Sequence, residues 1–300
     1  MSELPTPKPK ISVAAGKGGT GKTLLSTSLA IALNEHYPAE VQIIDCDVEE
    51  PNAHLLMQPD LETEEPVFVK VPEVDLDTCT RCGICAQTCQ FSAIAVIRDA
   101  VLTFHDLCAG CGACSYACPV DAITEIDRRV GTVETGTVAG SINFVTGNLN
   151  VGDQRATPVT GAVKGHINPD MITILDAPPG TACPMQETVE DTDYCILVTE
   201  PTPFGLSNLG DAVETCRTLG VPAGVVINRD GVGDQGVDDY CRKEGIDILL
   251  RIPQDRSIAE AYSRGHSLLS AMPEYEDRLV DMFKRIVTAI ESGQNKQGVI

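Results

Sequence analysis

The chain has 300 residues, of which 43% are hydrophobic and 22% charged, and its formal net charge is −21. These values are typical of a globular protein and exclude fibrous and disordered architectures. So large a negative charge argues against nucleic acid or an anionic membrane as the main partner, because both bind basic surfaces. No apolar run approaches the roughly 18 residues that a membrane-spanning helix needs.

The first elements predict the start of a parallel α/β sheet. Residues 1–10 form a polar tail, and residues 11–15 (ISVAA) predict a short buried strand. Apolar residues then recur at helical spacing over 24–37 before Pro38, and residues 41–45 (VQIID) predict a second strand. A strand, a glycine-rich loop, a helix and another strand in this order favour a parallel α/β fold.

The loop between the first strand and the first helix, GKGGTGKT, matches the phosphate-binding pattern G-x-x-x-x-G-K-[ST]. Glycines let the backbone N–H groups surround a phosphate, and the N-terminus of the next helix favours its negative charge. Lys22 is expected to reach the β and γ phosphates, and the Thr23 hydroxyl to coordinate Mg²⁺. The predicted phosphate loop therefore comprises Gly16, Gly18, Gly19, Thr20, Gly21, Lys22 and Thr23.

The α/β pattern is interrupted in the middle of the chain. Eight of the thirteen cysteines lie within 71–128, and residues 131–150 then alternate like a β-hairpin. The α/β pattern resumes with strands predicted at 172–175, 195–198, 224–227 and 248–250, and helices at 205–219, 237–244, 258–264 and 275–292. We therefore predict one α/β domain, residues 1–70 and 129–300, interrupted by an inserted α+β domain at 71–128.

The cysteines of the insert form two runs of equal spacing, C-x₂-C-x₂-C-x₃-C, and the insert resembles a two-cluster bacterial-type ferredoxin. In that arrangement the fourth cysteine of each run serves the other [4Fe–4S] cluster. The resemblance implies one cluster on Cys79, Cys82, Cys85 and Cys118, and a second on Cys108, Cys111, Cys114 and Cys89. Zinc is the alternative, but zinc sites usually take two separated pairs of ligands. Gln90 stands where a proline is expected after the first run, which weakens that turn rather than the ligand assignment.

The phosphate loop resembles the signature of MinD/ParA-type ATPases, the superfamily of the Mrp proteins and the nitrogenase iron protein, because Lys17 supplies a second lysine. Four further segments resemble that superfamily. Residues 45–52, with DCD followed by Asn52, resemble its first switch, and residues 174–180 (ILDAPPG) resemble its second switch. Residues 226–229 and 252–253 resemble its base-binding segments. The resemblance implies a mostly parallel, doubly wound P-loop sheet and a dimeric, ATP-dependent switch.

The resemblance also implies a role for each residue. Lys17 would reach the partner's nucleotide across a homodimer, and Asp47 would position the attacking water. Asp45 and Asp176 would hold Mg²⁺, and Asn228 would bind the adenine. The implied catalytic set is Lys17, Lys22, Asp47 and Asp176, with Thr23 and Asp45 as magnesium ligands and Asn52, Gly180, Asn228 and Pro253 completing the nucleotide site. Each residue also has an interpretation without a functional role. Asp45 and Asp47 could be solvated surface acids, Asp176 could only cap the end of its strand, and Asn228 could be an ordinary amide in a loop.

Cys183 is the remaining cysteine of interest, because it lies in the second switch. Cys183 lies seven residues after Asp176. The nitrogenase iron protein carries a ligand of its inter-subunit cluster at a similar distance along its own second switch. The second ligand of such a cluster is expected upstream, where this chain has the insert instead. A structural cysteine is therefore the favoured interpretation, and a third-cluster ligand is the alternative.

A nucleotide switch and two electron carriers in one chain predict ATP-gated delivery of electrons to a partner metalloprotein. The alternatives are a scaffold that assembles iron–sulfur clusters, and a spatial-positioning ATPase with a redox-sensing insert. Residues 40–65 hold nine acids and no lysine or arginine, which is either a solvated face or a dock for a basic partner. The apolar stripe of the helix at 275–292 favours packing in the core over stable membrane association. Because low-potential clusters are sensitive to oxygen, we expect a cytoplasmic protein.

Overall fold

The computed structural model describes the backbone of residues 8–297 and the side chains of residues 8–293. Its strands are β1 (Lys10–Ala14), β2 (Val41–Asp45), β3 (Asp60–Val74), β4 (Ile94–Ile97), β5 (Ala100–Thr103), β6 (Ile123–Val138), β7 (Ile142–Leu149), β8 (Ile172–Asp176), β9 (Tyr194–Thr199), β10 (Ala223–Asp230) and β11 (Ile248–Pro253). Its helices are α1 (Lys22–His36), α2 (Ala53–Met57), α3 (Ile84–Thr88), α4 (Ala113–Tyr116), α5 (Ala156–Lys164), α6 (Cys183–Val189), α7 (Pro203–Leu219), α8 (Gly236–Glu244), α9 (Arg256–Ser263), α10 (Leu268–Ala271) and α11 (Tyr275–Gln297). Residues 1–7 of the predicted tail lie outside the described part of the chain.

Nine strands form one large sheet in the order β11-β10-β9-β1-β8-β2-β7-β6-β3. All neighbours from β11 to β7 are parallel, whereas β6 runs antiparallel to both β7 and β3. The expected α/β class with a mostly parallel sheet is confirmed. The predicted hairpin at 131–150 corresponds to the second part of β6 and the whole of β7.

Helices cover both faces of the sheet because its central strands are apolar on both sides. On one face, Ile11 and Ile43 pack against α1 and α11, and the predicted apolar stripe of α11 is buried there. On the other face, Ala14 and Leu197 pack against α6, α7 and α8. Ile44 faces α5. No helix within residues 8–297 combines the length and the hydropathy that crossing a membrane requires.

The inserted segment sits at the end of a long two-stranded ribbon. Strands β3 and β6 pair from Asp60 opposite Thr137 to Val74 opposite Ile123, so the ribbon runs from the sheet edge into the insert. Between its strands the chain forms α3, the β4–β5 hairpin and α4. Two small apolar clusters stabilise this unit, one around Val71 and one around Ile94 and Ile123.

Candidate functional site

The predicted phosphate loop lies between β1 and α1, at the carboxyl edge of the parallel strands. Gly19 and Gly21 have φ values of 76° and 94°, a region that glycine adopts freely. A Cβ on Gly16 would lie 2.1 Å from the carbonyl oxygen of Asn208, so close packing excludes any side chain there. The loop is therefore fixed in shape, with its backbone free to approach a phosphate.

Two buried carboxylates lie next to this loop. Asp45 and Asp176 end neighbouring parallel strands and are paired in register, and their exposures are 0% and 1%. Asp45 accepts backbone N–H groups from Asp47 at 3.1 Å, Asn52 at 3.0 Å and Ala53 at 2.9 Å. These bonds fold residues 45–53 around the carboxylate.

Burial, and after it the negative charge of Asp176, raise the pKa of Asp45 to about 8. Burial also raises the pKa of Asp176, although Lys22 opposes that effect. Within the described residues, Oδ1 of Asp176 is buried without a hydrogen-bond partner. Two buried acids with an oxygen left unpaired are the donor chemistry that a hard cation such as Mg²⁺ prefers.

Asp47, the predicted water-positioning residue, lies beside the same pair. Burial raises its pKa to about 6, while the charge of Lys22 acts in the opposite direction. Gly180 has a φ of 93°, and its N–H donates to the carbonyl of Ala15 at 3.0 Å, which ties the second switch to the end of β1. The structure thus brings both predicted switches and the phosphate loop together.

An open cleft of about 370 Å³ lies beside the loop and is lined by Gly19, Gly21, Asn228, Pro253 and Tyr262, among others. Asn228 is 8% exposed and donates through Nδ2 to the carbonyl of Thr20 at 2.7 Å. Its amide therefore braces the phosphate loop from the cleft side.

The second lysine of the loop, Lys17, is held by its own chain. Its Nζ lies 2.9 Å from Oε2 of Glu200 and 5.0 Å from the ring centre of Phe204. Glu200, whose side chain is 8% exposed, also pairs with Arg229 at 2.7 Å. Sequence reasoning did not find Glu200, because it lies far along the chain in a segment with no motif.

The cysteines of the insert line two separate cavities. One brings Cys79, Cys82 and Cys85 together with Cys118, and the other brings Cys108, Cys111 and Cys114 together with Cys89. Among the side chains that the structure describes, those of residues 8–293, no three His, Cys, Asp or Glu side chains are close enough to hold a single metal ion.

The two halves of the insert repeat in their backbone detail. Backbone N–H groups of Arg81 and Gly110 donate to Sγ of Cys79 and Cys108, each at 3.4 Å. In the same way, the N–H groups of two later residues, Ala93 and Ala122, donate at 3.3 Å to the fourth cysteine of their own run. Sulfur atoms that line a cavity and accept hydrogen bonds from backbone N–H groups fit the thiolate ligands of an iron–sulfur cluster. In such clusters the N–H···S hydrogen bonds help to set the reduction potential.

The same repetition appears in the backbone torsions and in the thiols. Gly83 and Gly112 directly precede α3 and α4, with φ values of 80° and 71°. Burial raises the pKa of the equivalent thiols of Cys85 and Cys114. Cys183, by contrast, is exposed at the start of α6, in the second switch and not in either cavity.

The chain belongs to the CobQ/CobB/MinD/ParA nucleotide binding domain family, which matches residues 11–269. It is therefore a P-loop ATPase of the MinD/ParA type. It is 35% identical over 228 residues to the uncharacterized protein MJ0578 of Methanocaldococcus jannaschii, covering 75% of this chain and 79% of that protein.

A more distant relative is the iron-sulfur cluster carrier protein of Pyrococcus horikoshii, which is 24% identical over 308 residues and covers 93% of this chain and 88% of its own length. Among solved structures, the septum site-determining protein MinD complexed with Mg-ADP, from the same organism, is similar in fold. That structure matches with a TM-score of 0.53 and 17% identity, over 97% of this chain and 98% of that one.

Proposed function

We propose that the protein is a dimeric, ATP-hydrolysing switch that gates electron transfer through two [4Fe–4S] clusters held in its insert. The observation that carries the proposal is the pair of cysteine cavities, each completed by the fourth cysteine of the other run. The crossed grouping supports the ferredoxin assignment, with four thiolates available to each cluster. When bound, such clusters supply one-electron transfer at low potential.

The nucleotide site supports hydrolysis by positioning and charge neutralisation, which is what phosphoryl transfer requires. The phosphate loop presents backbone N–H groups, and Lys22 adds a positive charge. Thr23, Asp45 and Asp176 would offer the oxygens for Mg²⁺, and Asp47 would orient a water. Lys17 would leave Glu200 and reach the nucleotide of the partner when two copies meet.

Gating requires that ATP bind one redox state better than the other. The test is to load the protein anaerobically with iron and sulfide and to measure both midpoint potentials with and without MgATP. We expect about eight irons per chain and a nucleotide effect of about tenfold on the reduction equilibrium of at least one cluster, which is about 59 mV for a one-electron couple. Equal potentials with and without MgATP would refute the gating.

Two variants test the crossed ligand assignment. Cys89→Ser is expected to perturb the cluster held by the Cys108 run, and Cys118→Ser the cluster held by the Cys79 run. Cys216→Ser is the matched control, because Cys216 is buried in the ATPase core and lies in neither cavity. A loss confined to the cysteine's own run would contradict the assignment.

A cluster carrier is the second candidate, because relatives of this chain are named iron-sulfur cluster carrier proteins. A carrier must release its cluster to an acceptor. The electron-transfer proposal predicts that the iron stays bound when an apo-ferredoxin is added under turnover with MgATP. Transfer of iron to that acceptor at a rate that matches ATP hydrolysis would favour the carrier.

A further inference from the structure

One side chain of the ATPase core reaches into the insert. Arg155, the residue before α5, donates from Nη1 to the backbone carbonyls of His105 at 3.1 Å and Cys108 at 3.3 Å. Asp153 holds the other side of the guanidinium, with Nε 2.7 Å from Oδ1 and a second contact from Nη2 to Oδ2. The two side chains are only 10% and 4% exposed, so the guanidinium is fixed between the two units.

The loop that carries Arg155 is attached to the first switch. It begins at the end of β7, where the N–H of Leu149 donates to the carbonyl of Val48 at 2.8 Å. Val48 directly follows Asp47. Strand β7 also pairs with β2 in register, with Thr146 opposite Asp45. A displacement of the first switch therefore acts directly on this loop.

The helix that follows Arg155 is attached to the second switch. Helix α5 packs against α6, whose first residue, Cys183, lies in that switch. At the far end of α5, Lys164 donates through Nζ to the carbonyls of Glu187 and Glu190, the second at 2.8 Å. Arg155 thus lies where segments linked to both switches meet the insert.

The contact is not repeated in the other half of the insert. The carbonyl of Cys79, equivalent to that of Cys108, receives Nη1 of Arg81 at 3.4 Å, and the same side chain donates from Nε to the carbonyl of Asp99 at 2.9 Å. Arg81 belongs to the insert itself and is exposed. The two halves therefore differ in their link to the nucleotide site.

We propose that Arg155 is a positioning residue that couples the nucleotide state to the cluster on the Cys108 run, so that this cluster and not its twin responds to ATP. The inference rests on the proposed function. A fixed positive charge and donors beside a ligand cysteine favour the reduced, more negative state of a cluster. A shift of the switch-linked loop moves that charge relative to Cys108.

The experiment compares wild type with Arg155→Gln and Arg155→Lys, with Arg81→Gln as the matched control in the other half. Lysine keeps the charge beside Asp153 but has one nitrogen in place of a fork, so it cannot hold Asp153 and two carbonyls together. The lysine also keeps Asp153 paired with a positive charge. If Arg155→Gln does not load its clusters, the result therefore rests on Arg155→Lys. Iron content is measured for each variant, and each cluster's redox titration is followed by paramagnetic NMR with and without MgATP.

We expect MgATP to change the reduction equilibrium of the cluster on the Cys108 run about tenfold in wild type and in Arg81→Gln, but less than twofold in both Arg155 variants with full iron content. A wild-type nucleotide effect in the Arg155 variants would overturn the inference and leave gated electron transfer standing. No nucleotide effect on either cluster of the wild type would overturn the proposed gating and the inference with it.

Discussion

Replacing Glu200 with glutamine is expected to tighten ATP-dependent dimerisation. In the single chain, Lys17 lies 2.9 Å from the Glu200 carboxylate and above the ring of Phe204. If Lys17 serves the partner's nucleotide, as the family resemblance implies, this ion pair must break in each protomer before the dimer closes. Glu200 therefore keeps Lys17 bound within its own chain and opposes dimerisation.

The size of the effect follows from the exposure of the pair. The Lys17 and Glu200 side chains are 23% and 8% exposed, and a pair that is still partly hydrated contributes up to about 1 kcal/mol. Two such pairs break per dimer, which gives up to about 2 kcal/mol, or roughly a 30-fold lower dimer Kd. The contact of Glu200 with Arg229 does not involve Lys17, so its loss affects monomer and dimer alike.

Sedimentation equilibrium with a non-hydrolysable ATP analogue measures the dimer Kd of wild type and Glu200→Gln. Glu244→Gln is the control, because Glu244 forms a similar 3.0 Å pair with Arg217 at the far end of α7 and loses the same charge. We expect the control to match wild type. An unchanged or weaker dimer in Glu200→Gln would refute the idea that Glu200 restrains Lys17.

Three further outcomes are expected. Without Mg²⁺ and nucleotide, the melting temperature of the wild type should fall as the pH rises from 5 to 8, because the raised pKa of Asp45 (about 8) means that the folded state is stabilised by its protonated form. Asp45→Asn should flatten this pH profile in differential scanning fluorimetry and should also abolish hydrolysis. The same slope in wild type and variant would show that Asp45 does not cause the pH dependence. Gly110→Ala, at φ 71° with a Cβ only 3.1 Å from the Lys70 carbonyl, should lower iron content, whereas Arg81→Gly at the equivalent site should keep it. Cys183→Ala should retain all of its iron in the dimer, and loss of iron there would point to an inter-subunit cluster.

The central sheet was predictable because its strands are short apolar runs and its helices carry regular apolar spacing. Strand β3 was not, because its first half, DLETEEP, is acidic and does not alternate. Its side chains are mostly exposed, and it is held by its backbone ladder with β6 rather than by burial. Helices α5 and α6 were also not predicted, because each is short and contains a proline. Their helical structure depends on the packing of the two helices against each other.

The residues of the candidate site divide in the same way. Phosphate loop, switch acids and cysteine runs are local motifs, and spacing along the chain is enough to find them. Arg155 and Glu200 act through partners that are distant in sequence: Arg155 meets backbone carbonyls 47 and 50 residues away, and Glu200 meets Lys17 at a separation of 183. Neither a bond to a backbone carbonyl nor an ion pair between such distant residues forms a local sequence motif, so only the fold identifies these contacts.

The ribbon alone does not fix the insert relative to the nucleotide site. The last pair between β6 and β7 is Gly131 with Leu149, and beyond it the ribbon has only two strands. The register of β3 and β6 shifts at this point, between Val67 and Phe68, which leaves Val130 outside the pairing. A bulge at the transition from three strands to two permits bending.

The loop that carries Arg155 contacts the ribbon at this bulge, where the N–H of Asn150 donates to the carbonyl of Val130 at 2.8 Å. The loop therefore contacts the bulge through Asn150 and the Cys108 half of the insert through Arg155, so any movement that it receives from the switches acts at the bend and beyond it.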